Sequence, residues 1–425
     1  MDFKSYCLRI PVYTLLLLAA IIKGQDVVAQ NVTSPYSILG IGDIDNRDYG
    51  RYSISGSAGI SRRNDAIYNY SNPASLTSLS LKVVNFDLVG RAKLSAFKSG
   101  DTLSTADKDF AISRISLAFR PSSRFGFAFG LKPYSSVNYK YSQSTAIYND
   151  GSVGYTKSIE GSGGINQIYG SGGYALSKHF SVGLTGAYMF GTTKKSTTYL
   201  DENIGLDITN EDYSFYSGAN VLLGLQYYSA SKKPWQHTVG LTISKGTDLN
   251  GYAKSEYIQA DTTFLEESKG DVAFKMPVSV GLGYTATNNH GLSISVQGDY
   301  YHWPEQKINY SNSYTSPSLR LAAGWEYSKR SRYYLSDASY EKYYLGMGVA
   351  AQNSYYTLKG NKIWDYALTL GGGYNLTGNL YFHGGLEFGV KGSNKQGQIQ
   401  ERYTQFNMGV TIRDVWFRTS SSRND

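Results

Sequence analysis

Apolar residues recur at every second position along most of this chain, and that period admits few folds. In "VVNFDLVGRAKL", Val84, Phe86, Leu88, Ala92 and Leu94 fall on one face, with Asn85, Asp87, Arg91 and Lys93 on the other. In "RFGFAFGLK" the apolar set is Phe125, Phe127, Phe129 and Leu131. In "GLSISVQGDYY", Leu292, Ile294 and Val296 alternate with Ser293, Ser295, Gln297 and Asp299. In "LYFHGGLEFGVK", Leu380, Phe382, Leu386, Phe388 and Val390 alternate with Tyr381, His383, Glu387 and Lys391. A pleated strand sends successive side chains to opposite faces, whereas a helix needs a period near 3.6. We count 14 such segments, centred near residues 88, 114, 128, 167, 185, 221, 241, 280, 296, 322, 348, 368, 385 and 410.

The connections alternate as well. The second, fourth, sixth, eighth and twelfth are tight ("RPSSR", "LSKH", "SASKKP", "ATNNHG", "NLTGN"), and the odd-numbered ones are longer and polar. The tenth, around "SKRSRYYLSDASYEK", departs from this rule. Short turns on one rim and long loops on the other suit an outer-membrane barrel, whose rims face different compartments. A soluble sandwich would have to hide its apolar faces against each other. Charged residues are only 17% of the chain, against about 25% in ordinary soluble domains. Glycine (46) and tyrosine (39) are abundant, as crowded wall positions and interfacial girdles require. After Leu79 no 18-residue apolar run occurs, so no transmembrane helix is expected in that part. The expectation is an all-β fold: a transmembrane antiparallel β-barrel of about 14 strands over residues 79–417, followed by a tail, 418–425. Closure removes the sheet edges, lipid and lipopolysaccharide take the apolar side, and an even strand number puts both ends on the periplasmic rim. The final strand ends in Trp416-Phe417, which resembles the terminal signal read by the barrel-assembly machinery, an expected partner for insertion.

Residues 1–29 read as a secretory leader. Lys4 and Arg9 precede a 13-residue apolar run from Ile10 to Ile22, short of the ~20 residues a spanning helix needs. Val27 and Ala29 suit cleavage after Ala29, and Cys7 departs with the leader, which leaves no thiol chemistry in the mature chain. Net charge is +8, but the basic residues are scattered with only small clusters, and no nucleic-acid-binding motif is present. Solvated loop charge, partly facing lipid phosphates, accounts for the excess.

Residues 30–78 lack strand-length alternation and are rich in Gly, Ser and Asn, with a helical patch expected near "NDAIYNY". Side chains alone just fill a barrel of ~8 strands, so a wider one has room for a plug. In "IYNYSNPASL", Asn72 suits the cap of a short helix opened by Pro73, whose missing N–H costs nothing there. An ordinary surface turn is the competing reading. The order of leader, Gly-rich segment, "NPA" and about 14 strands resembles the long-chain fatty-acid outer-membrane transporter family, which includes aromatic-hydrocarbon channels (FadL/TodX-like). The resemblance makes 30–78 an amino-terminal hatch and Asn72, Pro73 and Ala74 its motif. "GLKPYSSVNY" resembles the family's third strand, which makes Gly130 and Pro133 the counterparts of a wall kink beside a lateral opening. "MPVSVGLGY" and "GDYYHW" resemble two further family segments. "SPYSILGIGDI", Ser34 to Ile44, is not a family motif and resembles secreted barrel proteins of the Bacteroidota type.

Other chemistry finds little support. The five histidines are not at metal spacing and no cysteine joins them, so neither a metal nor a cofactor is expected. "DIDNRD" has Arg47 at the third ligand position of a calcium loop and no following glycine. His290 and Ser293 in "NHGLS" have no group placed to orient the histidine, so no catalytic residue is assigned and no enzyme is expected. Charges inside strands are the sharper signal: Arg91, Lys93, Arg114, Arg320, Glu326, Glu387 and Arg413 should face the lumen, because in lipid an Arg or Lys costs about 2–4 kcal/mol at mid-depth and a Glu somewhat less. They read either as a salt-bridged lining that holds the plug or, for one or two arginines, as contacts to a ligand carboxylate. Two functions follow from the resemblance. One is passive uptake of a hydrophobic or amphipathic, fatty-acid-like small molecule across the cell outer membrane, through the hatch and a lateral exit. The other is a non-transporting barrel that serves as subunit or adaptor of an outer-membrane secretion or assembly complex.

Overall fold

The computed structural model describes residues 34–415 except 46, 100–101, 147–153, 202–205, 230–233, 260–261, 309–312, 333–338 and 395–397. Both the leader and the Trp416-Phe417 signal lie outside the described residues, as does the tail. Strands β1 (Asp43–Ile44), β2 (Val83–Ser99), β3 (Thr102–Phe119), β4 (Phe125–Ser136), β5 (Tyr139–Ala146) and β6 (Gly154–Ala175) come first. Next are β7 (Phe180–Asp201), β8 (Leu206–Tyr228), β9 (Trp235–Gly246), β10 (Leu249–Gln259), β11 (Thr262–Phe274) and β12 (Val278–Asn288). The last are β13 (Leu292–His302), β14 (Tyr314–Thr315), β15 (Ser318–Arg332), β16 (Ser339–Leu358), β17 (Asn361–Asn375), β18 (Leu380–Lys391) and β19 (Gln400–Val415).

Fourteen of these close a ring of antiparallel pairs: β2, β3, β4, β6, β7, β8, β9, β12, β13, β15, β16, β17, β18 and β19, with β19 returning to β2 from Gln400↔Lys98 to Val415↔Val83. The alternation explains the closure. Each ring strand leaves large apolar side chains exposed on its outer face, among them Phe86, Phe129, Leu184, Leu282, Leu321 and Phe388, while Asn85, Asp87, Arg91 and Lys93 are buried on the inner face. Hydrocarbon accepts such an outer surface, and closure leaves no strand edge within it.

The rim bearing Val83 and Val415, here the lower rim, carries short turns such as 120–124, 289–291 and 376–379. At the upper rim the expected long loops are largely strand. β6, β7 and β8 run 22, 22 and 23 residues, and the β7–β8 ladder continues to Asp201↔Leu206. Polar alternation there still forms ladders, because once out of lipid a hairpin can be polar on both faces. β10 continues the wall on β8, and β11 pairs with β10.

Ser34–Leu79 lies against the inner faces of the ring and is almost entirely buried. It holds 3-10 helices at Pro35–Ile38, Arg51–Ser55 and Pro73–Ser78. The helical patch expected near Asn64–Tyr70 is a run of bends instead. Asn64 Oδ1 accepts from the backbone N–H of Ala66 (2.7 Å) and Ile67 (2.9 Å), the local bonding by which Asn favours turns over helix. The first ring strand begins at Val83, four residues after the expected Leu79, because Leu79 ends the last 3-10 helix and is buried beside Leu76 and Tyr68.

Candidate functional site

The lower lumen is closed by the turn at Asn72–Ser78. Asn72 is fully buried; its Oδ1 accepts from Ala74 N–H at 3.0 Å, and its Nδ2 donates to the carbonyls of Ile60 (2.9 Å) and Leu225 (3.1 Å). One side chain thus caps the Pro73–Ser78 helix, ties it to the preceding segment and fastens both to β8. Pro73 and Ala74 are also buried. The wall yields to this turn at Gly224, where a Cβ would stand 2.1 Å from Asn72 Oδ1 and 2.7 Å from Pro73 Cδ.

Above the turn runs a seam of buried ion pairs between this segment and the wall. Arg47 meets Glu387 at 2.8 Å, and Arg62 meets Glu326 at 2.8 Å. Arg51 bridges Glu326, at 2.6 Å, and Glu341, with its guanidinium over the Tyr344 ring at 4.0 Å. From the wall, Arg91 reaches Asp45 at 3.3 Å, and Arg114 bridges Asp48 and Asp87. Arg320 donates to the Gly56 carbonyl and to Asp299 at 3.1 Å. Arg91, Arg114, Arg320, Glu326 and Glu387 therefore all engage the segment. Lys93 pairs within the wall, with Glu401 at 2.5 Å. Arg413 stands at the lower rim, bonded to Asn85 Oδ1 (3.2 Å), Ser80 Oγ (2.8 Å) and the Asp65 carbonyl (3.3 Å). Burial opposes the Arg51 charge, but Glu326 and Glu341 outweigh it and hold the guanidinium's pKa above its ordinary value.

Gly130 and Pro133 lie on β4 where that strand parts from β3 while keeping its ladder with β6. A Cβ on Gly130 would stand 2.5 Å from the Tyr169 hydroxyl and 2.6 Å from the Ile115 carbonyl. β4 pairs with β3 only from Phe119↔Phe127 to Ile115↔Leu131. Beyond it, the β6 ladder slips between Pro133 and Ser135 and resumes at Ser135↔Ile165 and Ser136↔Gly164, while on the edge given up by β3 Ser135 and Ser136 pair with Ile44 and Asp43 of β1. Proline has no N–H for the ladder, which fits the break. Lys132, buried beside it, donates to the Asp45 and Arg47 carbonyls, both at 3.2 Å. Among the described residues no ladder joins Thr102–Arg114 of β3 to β4 or β5. The inward part of β4, at Lys132, Tyr134 and Ser136, lines a lumenal cavity of about 220 Å³, together with Arg91, Trp303 and Asp365 among others.

The wall charges were visible in the sequence as interruptions of strand periodicity. Of their partners, Asp45, Asp48, Arg51 and Arg62 carry no individual mark in the sequence, and Arg47 stands out only as the residue that rules out a calcium loop. The available signal was the density of Asp and Arg within a Gly- and Ser-rich segment, "DIDNRDYGR" and "SRRND". Lys132 and Glu341 were missed because neither differs from an ordinary strand polar residue until the fold brings the segment to it.

A family model described as BamG matches residues 9–421. No curated protein matches the sequence. Solved structures match in fold over most of the chain. A FadL homologue of Pseudomonas aeruginosa has a TM-score of 0.58 at 11% identity, covering 88% of this chain and 99% of its own. The CymD monoaromatic hydrocarbon channel has 0.55 at 14%, covering 88% and 98%. The Pseudomonas putida toluene transporter TodX has 0.54 at 15%, covering 88% and 100%.

Proposed function

We propose a function from one premise: the chain belongs to the BamG family. It is an outer-membrane barrel, delivered by a leader cleaved after Ala29, that mediates passive uptake of a hydrophobic or amphipathic small molecule. The ligand enters at the upper rim, rests in the lumenal cavity beside the hatch, and leaves sideways between β3 and the bent β4. One observation carries this reading: β4 exchanges β3 for β1 and there lines the cavity with Lys132, Tyr134 and Ser136, while among the described residues no ladder joins Thr102–Arg114 of β3 to β4 or β5. An apolar ligand gains nothing from an aqueous pore, so a lateral exit to hydrocarbon is the favourable route. The likeness to channels described as carrying toluene and monoaromatic hydrocarbons supports it. The test is toluene uptake by cells that make the chain as their sole such barrel. Pro133→Val restores a ladder donor and is expected to slow uptake several-fold. Unchanged uptake with the barrel folded refutes the lateral route.

A second reading has its own support. The Bam prefix of the family name points to the barrel-assembly machinery, and the seam of buried ion pairs fills the lumen below the cavity. In this reading the chain is an adaptor subunit that conducts nothing. Copurification in mild detergent separates the two: a stoichiometric protein partner favours the adaptor, and bound lipid-like ligand without a partner favours uptake.

A further inference from the structure

The lower rim surrounds a cavity that the uptake route does not use. It measures about 810 Å³ and lies below the seam. Ser61, Asn64, Gln236, Thr238, Thr285 and Thr287 supply much of its lining, and these hydroxyls and amides can bond a peptide backbone. Its charges do not balance. Of the lining groups, Glu326 and Glu341 are already taken by Arg51 and Arg62, and Arg330 is paired with Asp65 at 2.8 Å. Arg63 and Lys329 remain with no ion pair among the described residues.

Arg63 carries the argument. Its guanidinium is held by neutral oxygens alone: Gln226 Oε1 at 2.8 Å, Thr77 Oγ1 at 2.9 Å and Ser181 Oγ at 3.0 Å. It lies over the Tyr228 ring at 3.9 Å, so its plane and direction are set before any ligand arrives. Burial, aided by the charge of nearby Arg120, brings its pKa down to about 10, which still leaves it protonated at neutral pH. A half-buried cation with no counter-ion, on the wall of a cavity of ligand size, favours an anion there. The apolar band of the barrel lies on its outer face, so a lipid head group would have to leave its own chains' surroundings to enter. A peptide segment can enter from the aqueous side.

We infer that this lower vestibule binds a carboxylate-bearing peptide segment of a periplasmic protein, with Arg63 and Lys329 receiving the carboxylates. The inference rests on the lower rim facing the periplasm and not on whether the barrel transports. It gives the adaptor reading a surface, yet it can fail or stand separately from that reading.

The test uses the full chain purified in a nonionic detergent. The probe is a short fluorescent Ser/Gly peptide carrying several glutamates, read by anisotropy against the same peptide with glutamines. Free glutarate and inorganic phosphate serve as competitors. The glutamate peptide is expected to bind and the glutamine peptide not. Arg63→Gln is expected to weaken binding about tenfold or more, the scale of one charge-assisted bond. Lys329→Gln, on an exposed residue with little bearing on folding, is expected to weaken it less, and Lys359→Gln at the upper rim not at all. Heat-modifiable migration of each variant checks that the barrel is intact. Equal binding of the two peptides, or binding unmoved by both lower-rim variants, overturns the proposal. Glutarate or phosphate competing as well as the glutamate peptide overturns it too, by making the vestibule a small-anion site. A failure to copurify a partner leaves this measurement unaffected.

Discussion

The amino-terminal segment is held in the lumen in two different ways. Its upper part, Tyr36 to Ile41, sits in an apolar cluster with Phe274, Met276, Trp303, Ile308, Tyr355, Tyr356 and Ile363. Its middle part, Asp45 to Arg62, sits among charged groups of β2, β3, β15, β16 and β18. The two grips differ in kind. Apolar burial is non-directional and tolerates small changes of shape. A buried ion pair adds little net stability over a well-packed apolar pair, but breaking one is costly because the partner is left charged and dry. The upper grip therefore supplies burial, and the seam fixes where the segment stands.

Removing Arg51 should give the largest effect, since it leaves Glu326 and Glu341 facing the lumen without it. Arg51→Ala is expected to cost about 3–5 kcal/mol, read from thermal unfolding, with hydrogen exchange rising across Arg51–Ser55. The sharper form is the double replacement Arg51→Met, Glu341→Gln, which leaves Glu326 paired with Arg62 at 2.8 Å. If the seam mainly sets position, the double variant regains most of the stability while exchange in the segment stays raised. Full recovery of both would make the two grips equivalent and end the distinction.

How far each region could be read from the sequence follows the same division. The ring was legible because alternation is local: Val84 to Leu94 name their faces without reference to any other strand. Asn72 and Pro73 were legible as a capped turn for the same reason. The seam was not, because Asp48 finds Arg114 66 residues away and Arg51 finds Glu341 290 residues away. A charged residue in a Gly-rich segment carries no mark of its partner. The upper grip was hidden differently. "SPYSILGI" offers Tyr36, Ile38, Leu39 and Ile41 at irregular spacing, and their apolar partners are spread over six strands, β6, β7, β10, β11, β16 and β17, and the loops beside them. Asn64 was misread because helix-forming neighbours in "NDAIYNY" suggested a helix, while its side chain bonds the backbone in a way that prevents one.

The upper grip should respond mildly to loss of volume. Ile41 is fully buried, and Ile41→Val removes one methyl group for an expected cost of about 0.5–1.5 kcal/mol in thermal unfolding. Exchange at Arg51–Ser55 should not change, because the seam holds position without it. A rise there comparable to that in Arg51→Ala would mean that the apolar cluster sets position too.

The smallest expected effect lies where the two grips meet. Asp43, in β1, pairs with Lys391 at 2.7 Å, both side chains partly exposed near the upper end of the lumen. Burial alone would push its carboxyl up, but the charge and bond of Lys391 outweigh burial and hold the pKa below the ordinary 3.8. A carboxylate with a depressed folded pKa contributes stability that is fully present above its unfolded value and is lost as pH falls through the folded one. The β1 contact should therefore be indifferent to pH near neutrality and weaken only below about 3.8. Exchange at Asp43 and Ile44 measured down that range should rise in the native chain. In Asp43→Asn it should be raised slightly at neutral pH and show no further acid-dependent step. A step of equal size in the variant would assign the acid response to the carboxylates of the seam instead. The seam would then loosen first, although it is the more deeply buried of the two regions.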